Sequence, residues 1–366
     1  MRVLQIIDFL PETSGGARFV VNLAKKLKLK GLEVDVLLID GRDSHFLEEL
    51  KNSNINIITI SKNINRFNIL YALKISKYLD KYDVIHTHIF PTSYQVSIAR
   101  MLNKKSAPII FTEHSSFNRR ASNFLFKYIE IFIYSKFDKI ICLSEQVKFF
   151  LQKNLSFKDS KYEIIQNAVD TNNISISKSA IREEIGLKKN DFIILMSARF
   201  DQPKRQDLLI EVVKLLPENI KILFAGSGYT LDFFKNKVLE ELLSHKVIFL
   251  GARTDIYELM KMADVNILAS DYEGLSLAAL EAMSIGRPFI ASDVEGLDFV
   301  VNNKEYLFNN EIDSLKKLIL KLYNESSFYE KCASYSLKRS KDFDIEIMVD
   351  KYLKVYNNQI ENKGEL

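Results

Sequence analysis

Two carboxylates eight positions apart, Glu273 and Glu281, mark the stretch Glu273–Pro288, EGLSLAALEAMSIGRP. Asp271, Gly274 and Ser276 are turn and cap types, and Leu277–Met283 is rich in Ala and Leu. The stretch therefore reads as a loop running into a helix, closed by Gly286 and Pro288. At ~1.5 Å per helical residue the carboxylates stand roughly 10–12 Å apart. That separation suits gripping two ends of one extended ligand better than sharing a proton. The helix N-terminus between them offers free backbone N–H groups to a phosphate. A sugar, a diphosphate and a ribose in a row fit this description. The plainer alternative is a solvated Glu273 and a surface Glu281. Yet Glu281 lies among Leu277, Ala278, Leu280, Ala282 and Met283, where burial would oblige it to find partners.

Other residues could serve the same ligand. In Ser197–Asp207, SARFDQPKRQD, Arg199 and Lys204 sit in a loop before a helix. Arg can bind two phosphate oxygens as a fork, and Lys acts as a point charge. In Pro11–Arg18, PETSGGAR, a glycine pair between strand and helix lets backbone approach an anion. Ala225–Gly228, AGSG, is a similar turn. Neither has the G-x-G-x-x-G pattern, so a dinucleotide-binding dehydrogenase is a poor reading. His86, His88 and His114 fall at strand ends on one side of a sheet. No paired cysteine or third ligand accompanies His86 and His88, so no metal is expected; a structural role suits them better. The D-x-D at Asp342 and Asp344 is better explained by helix capping.

With these stretches in order along nearly the whole chain, the sequence resembles the family 4 glycosyltransferases. Glu273 and Glu281 match the family's E-x7-E element, Arg199 and Lys204 its diphosphate clamp, and Gly15, Gly16 and Arg18 its Gly-Gly-Ala loop. The resemblance implies the GT-B architecture: α/β, two facing Rossmann-like domains with an interdomain cleft, and a C-terminal helix returning to the first domain. It implies residues 1–170 as the acceptor-side domain, 171–343 as the nucleotide-sugar domain and 344–366 as the crossing helix. By resemblance Glu273, His114, Arg199 and Lys204 are catalytic, with Glu273 and His114 at the sugar and Glu281 at the ribose. Gly226, the loop Leu250–Ile256 with Arg253, and the amides near Leu275, Ser276 and Leu277 complete the donor contacts. Retaining transfer from a nucleotide-diphosphate sugar, UDP the expected nucleotide, follows, with no cofactor and no required metal. Many members carry Gly-Gly where this chain has Glu295–Gly296, which weakens inference about the donor. A nucleotide-sugar epimerase of the same architecture and a non-catalytic partner subunit are the rivals.

Positioning these residues requires parallel sheets. Short β-rich runs alternate with helical patterns throughout, which predicts sheets with helices on both faces. The expected strands are 3–7, 34–39, 55–60, 84–86, 108–112 and 139–143, then 193–198, 220–225, 247–250, 265–269 and 288–291. Asn167–Ser179 is polar and patternless and reads as the linker. The length of 366 residues suits two domains, and 47% hydrophobic with 27% charged residues describes a soluble protein. Two distant cysteines fit a reducing cytosol, and MRVLQIIDFLPE reads as a first strand and not a signal peptide.

Residues 1–170 carry 25 Lys and Arg against 17 Asp and Glu, and 51–150 alone carry 15 against 6. A basic half points to an anionic partner. Arg119 and Arg120 precede an aromatic segment, NFLFKYIEIFIYS, apolar nearly all round. Such helices are usually core; the alternative is a basic, aromatic surface at a membrane interface. The family's glycan or polyprenyl-linked acceptors favour an anionic membrane surface and a cytoplasmic protein peripheral at the inner face of the cell membrane. Nucleic acid is not an expected partner.

Overall fold

The computed structural model describes residues 1–11, 14–62, 65, 67–103, 105–115, 118–170 and 179–364. These form two compact units, one from residues 1–166 with the segment from Glu346 on, the other from Asn167–Ile345. Part of the expected linker, 171–178, lies outside the described residues. Its start is not free chain: Asn167 donates to the Leu275 carbonyl at 3.0 Å, and Val169 N to the Phe343 carbonyl at 3.0 Å.

The first unit contains β1 (Arg2–Ile7), β2 (Glu33–Asp40), β3 (Asn56–Ser61), β4 (Val84–His88), β5 (Ile109–Glu113), β6 (Lys139–Cys142) and β7 (Tyr162–Ile164). They form a parallel sheet ordered β3-β2-β1-β4-β5-β6-β7. The second unit contains β8 (Phe192–Ser197), β9 (Ile220–Ala225), β10 (Val247–Gly251), β11 (Val265–Leu268), β12 (Phe289–Ser292) and β13 (Leu307–Phe308), ordered β10-β9-β8-β11-β12-β13. Every expected strand is present. The two not anticipated, β7 and β13, are three and two residues long, too short to show a period. Central strands are buried on both faces, as in β4, which explains their near-continuous apolar runs.

In each sheet the strand order reverses once at the centre, between β1 and β4 and between β8 and β11. Loops leaving the C-terminal ends of those strands diverge there, and this is where open α/β sheets bind ligands. Gly15–Gly16 and His88 follow β1 and close β4; Arg199–Lys204 and Glu273 follow β8 and β11.

The last helix, Ile345–Gly364, buries Tyr352 and Tyr356 in the first unit, and Lys26 and Lys30 pair with Glu346 at 3.1 and 3.2 Å. The aromatic segment forms the helix Phe124–Ser135, and its burial departs from the all-round core that its composition suggests. Phe124, Phe126, Tyr128, Ile129 and Phe132 are exposed, Phe124 at 77%, while Ile133 and Tyr134 are core. Glu130 is fully buried, and accepts from Tyr94 OH, from Asn118 at 2.9 Å and from Arg120 Nε at 3.0 Å. Arg120 also stacks 3.8 Å from the Phe90 ring centroid. Arg120 is thus the counterion of a buried carboxylate and not a cation free for a membrane.

Candidate active site

In the second unit the loops after β8 and β11 are stitched by an antiparallel bridge between Lys204 and Ser270. Arg205 N donates to the Ala269 carbonyl at 3.1 Å and Asp271 N to the Pro203 carbonyl at 2.9 Å. The buried Ser270 hydroxyl lies 3.2 Å from the Pro203 carbonyl and 3.0 Å from that of Tyr272. Ser292 Oγ and Asn310 hold the Ser270 backbone from the other side at 3.0 and 2.8 Å. This frame brings Lys204 Nζ onto Glu273 Oε1 as an ion pair, with side chains only 13% and 12% exposed.

A third loop supports the pair. Gly296 has φ +87°, and a Cβ there would fall 2.4 Å from the carbonyl oxygens of both Glu273 and Gly274. The Glu295–Gly296 sequence, a departure from the family pattern, is therefore the surface on which the Glu273 backbone rests. Glu273 N donates to the Glu295 carbonyl at 3.3 Å.

Ser276 caps the helix Leu277–Ser284, accepting from Ala279 N at 3.4 Å. Amides in its first turn have no carbonyl within the helix to bond. Glu281, 6% exposed, lies one turn further on, and Tyr257 OH donates to its Oε1 at 2.9 Å. Gly226 lets the β9 loop press on the Arg199 loop, since a Cβ there would meet the Ala198 carbonyl oxygen at 1.9 Å. The Arg199 side chain is 63% exposed and pairs with Asp201 at 3.0 Å, so it does not join the Lys204–Glu273 pair. Arg253 is committed to Asp255 through contacts of 2.8 and 2.6 Å, which leaves its loop the backbone for other contacts.

In the first unit Ser14 caps the helix Gly15–Leu29, accepting from Ala17 N at 3.3 Å, so Gly15 and Gly16 form its first turn. Glu12 and Thr13 of the same loop lie outside the described residues. A side chain at Gly16 would strike Ile89 Cδ1 at 2.7 Å and come within 3.8 Å of the His114 ring. Ile89 itself holds φ +60°, a strained value for a β-branched residue. Arg18 lies 5.3 Å from the Phe46 ring centroid. His114 Nε2 contacts His88 Nδ1 at 3.2 Å. Burial holds the His114 imidazole down at about 4 and lowers His86 and His88 well below the usual range. All three are neutral at neutral pH.

Ser270, Tyr257, Gln5 and Tyr356 were not singled out from the sequence, and Gly296 was noted only as part of a departure from the family pattern. Of these only Gly296 carried a local signal, a glycine between strand and helix.

A model described as Glycosyltransferase Family 4 matches residues 13–173, and one described as Glycosyl transferases group 1 matches 177–339. The chain belongs to the family 4 glycosyltransferases. It is 28% identical to the Escherichia coli UDP-Gal:alpha-D-GlcNAc-diphosphoundecaprenol alpha-1,3-galactosyltransferase, over 98% of this chain and 97% of that protein. A Campylobacter jejuni N-acetylgalactosamine-N,N'-diacetylbacillosaminyl-diphospho-undecaprenol 4-alpha-N-acetylgalactosaminyltransferase is 28% identical, over 87% and 92% of the two chains. The fold is that of Anabaena HepE in complex with UDP and glucose, with TM-score 0.82, 20% identity and coverage of 97% and 99%.

In this glycosyltransferase the ion pair is open to a thermodynamic cycle. Lys204→Met and Glu273→Gln should each destabilise the protein, and the double variant should lose less than the sum, with a coupling of about 0.5–3 kcal/mol. Urea unfolding of the four proteins measures it. Strict additivity would contradict a direct pair.

Proposed function

We propose that this glycosyltransferase is a retaining enzyme that moves a sugar from a UDP-sugar to a glycan carried on a polyprenyl diphosphate, in surface polysaccharide assembly. The observation that carries the donor reading is the Lys204–Glu273 pair beside a helix N-terminus, at the point where the second sheet reverses its strand order. Lys has three N–H donors, so Lys204 can keep Glu273 and still bond a phosphate oxygen. Charge grows on the departing diphosphate as the sugar–phosphate bond breaks, and a fixed ammonium with first-turn amides stabilises it without reorganisation. Glu281, oriented by Tyr257, takes the ribose hydroxyls; Arg199 turns from Asp201 to the diphosphate. For His114 and the Gly15–Gly16 amides of the first unit, the family resemblance implies contacts to the sugar and the diphosphate. The acceptor oxygen bonds to the anomeric carbon on the face the diphosphate leaves, and its proton passes to the departing phosphate oxygen. The names of the Escherichia coli and Campylobacter relatives support the diphosphate-linked lipid acceptor, and the first supports UDP. Incubation with UDP-sugars and a synthetic polyprenyl-diphosphate sugar, read by NMR of the product's anomeric centre, tests this. The donor's configuration is expected; the inverted product would overturn retention.

Such an acceptor lies in a membrane, and the exposed face of the helix Phe124–Ser135 supports docking there. Phe124, Tyr128 and Phe132 stand in solvent, and Lys136 lies 4.5 Å from the Phe132 ring centroid. No described helix is long and apolar enough to cross a membrane. Peripheral binding at the cytoplasmic face then combines aromatic insertion with ~1 kcal/mol for each well-placed cation. Because Phe124 and Tyr128 are exposed, Phe124→Ser with Tyr128→Ser should leave the melting temperature unchanged. The double variant should lose most of its co-sedimentation with anionic vesicles at low salt. Wild-type protein that ignores such vesicles would point to a soluble acceptor.

A further inference from the structure

A chain of buried polar groups runs through the first unit from the C-terminal helix to His114. Gln5, His86, His88, Thr112, Tyr352 and Tyr356 are all 0% exposed. Gln5 Nε2 donates to Tyr356 OH at 3.2 Å, and Gln5 Oε1 meets His88 Nε2 at 2.6 Å. His88 Nδ1 then reaches His114 Nε2 at 3.2 Å. On the other side Tyr356 OH meets His86 Nδ1 at 2.7 Å, and His86 Nε2 meets Thr112 Oγ1 at 2.8 Å. Thr112 Oγ1 lies 3.1 Å from Tyr352 OH.

Neutral imidazoles each carry one proton, so this chain has two self-consistent proton arrangements, exchanged by turning the Gln5 amide over. The distances choose between them. A contact of 2.6 Å is already short for N–H to a carbonyl oxygen and is far too short for N–H to nitrogen, while 3.2 Å is an ordinary limit for the amide N–H on the Tyr356 hydroxyl. With Oε1 toward it, His88 must carry its proton on Nε2. Its Nδ1 is then a lone pair, and His114 must donate to it from Nε2. His114 is left with a bare Nδ1, which has no hydrogen-bond partner among the described residues. His114 is also the one of the three residues that is only partly buried. Tyr356 completes the order, accepting from Gln5 and donating to His86.

We propose that Gln5, His88 and Tyr356 are positioning residues that lock His114 in its Nε2–H tautomer, so that Nδ1 accepts a hydrogen bond from a ligand hydroxyl and disfavours carbonyl and phosphate oxygens. The ligand's identity as a sugar hydroxyl rests on the transferase reading; the tautomer does not. Nitrogen-15 NMR of the full-length protein, with His114 resonances assigned through His114→Gln, reads the tautomer directly. Wild-type His114 should be protonated on Nε2, and protonation on Nδ1 or an even mixture would overturn the proposal. Tyr356→Phe keeps the ring and removes the hydroxyl that fixes the Gln5 amide. His114 should then become a tautomer mixture, and kcat should fall about 5- to 10-fold, the worth of one hydrogen bond, with nucleoside diphosphate affinity unchanged. An unaltered tautomer and kcat in a folded Tyr356→Phe protein would contradict the relay. Gln5→Met tests the same link should Tyr356→Phe fail to fold. If wild-type enzyme turns over no nucleotide sugar, the transferase reading fails while the spectrum still decides the relay.

Discussion

A lysine and a glutamate withdrawn from water need each other, and much of the second unit's architecture serves that need. Leaving either charge buried alone would be strongly destabilising. Lys204 and Glu273 come from different loops, so their meeting depends on the backbone bridge between Lys204 and Ser270, on the Ser270 hydroxyl and on the glycine at 296. None of these groups needs to touch a ligand. They hold an ammonium in place with its counterion already supplied. Glu273 in this arrangement orients Lys204, so a substitution at either residue disturbs the other.

The first unit also buries an ion pair, Arg120–Glu130, but its loops after β1, β4 and β5 follow a different electrostatic principle. Its equivalent loops carry uncharged groups: first-turn amides at Gly15 and Gly16, and histidines that burial keeps neutral. Neutral donors and acceptors discriminate by direction, and direction must come from neighbours. The C-terminal helix provides it through Tyr352 and Tyr356, whose hydroxyls enter the network otherwise made by β1, β4 and β5. A buried polar network of this kind is tolerable only when its members are satisfied, which ties the packing of the final helix to the chemistry of His114.

Most of the parallel strands and the candidate site residues were legible because both leave local marks. Buried strands read as apolar runs, and Glu273, Glu281 and the Gly15–Gly16 turn have fixed spacings. What was hidden depends on partners far away in the chain. Nothing near Lys204 announces that Glu273 is its counterion, and nothing near Arg120 shows that it neutralises Glu130. The helix Phe124–Ser135 misleads by composition: apolar nearly all round, it still exposes Phe124, Tyr128 and Phe132, because only the side bearing Glu130, Ile133 and Tyr134 is buried. Glu295–Gly296 read as a lost motif and is a buttress.

The central claim is that Lys204 is a diphosphate receptor, and calorimetry with two ligands addresses it most directly. Titrating UDP and uridine into wild type and Lys204→Ala separates the phosphate contribution from the rest. The expected result is a loss of ~1.5–3 kcal/mol for UDP, the range for hydrogen bonds to charged groups, or roughly 10- to 150-fold, with uridine affinity nearly unchanged. An equal loss for UDP and uridine would contradict the assignment.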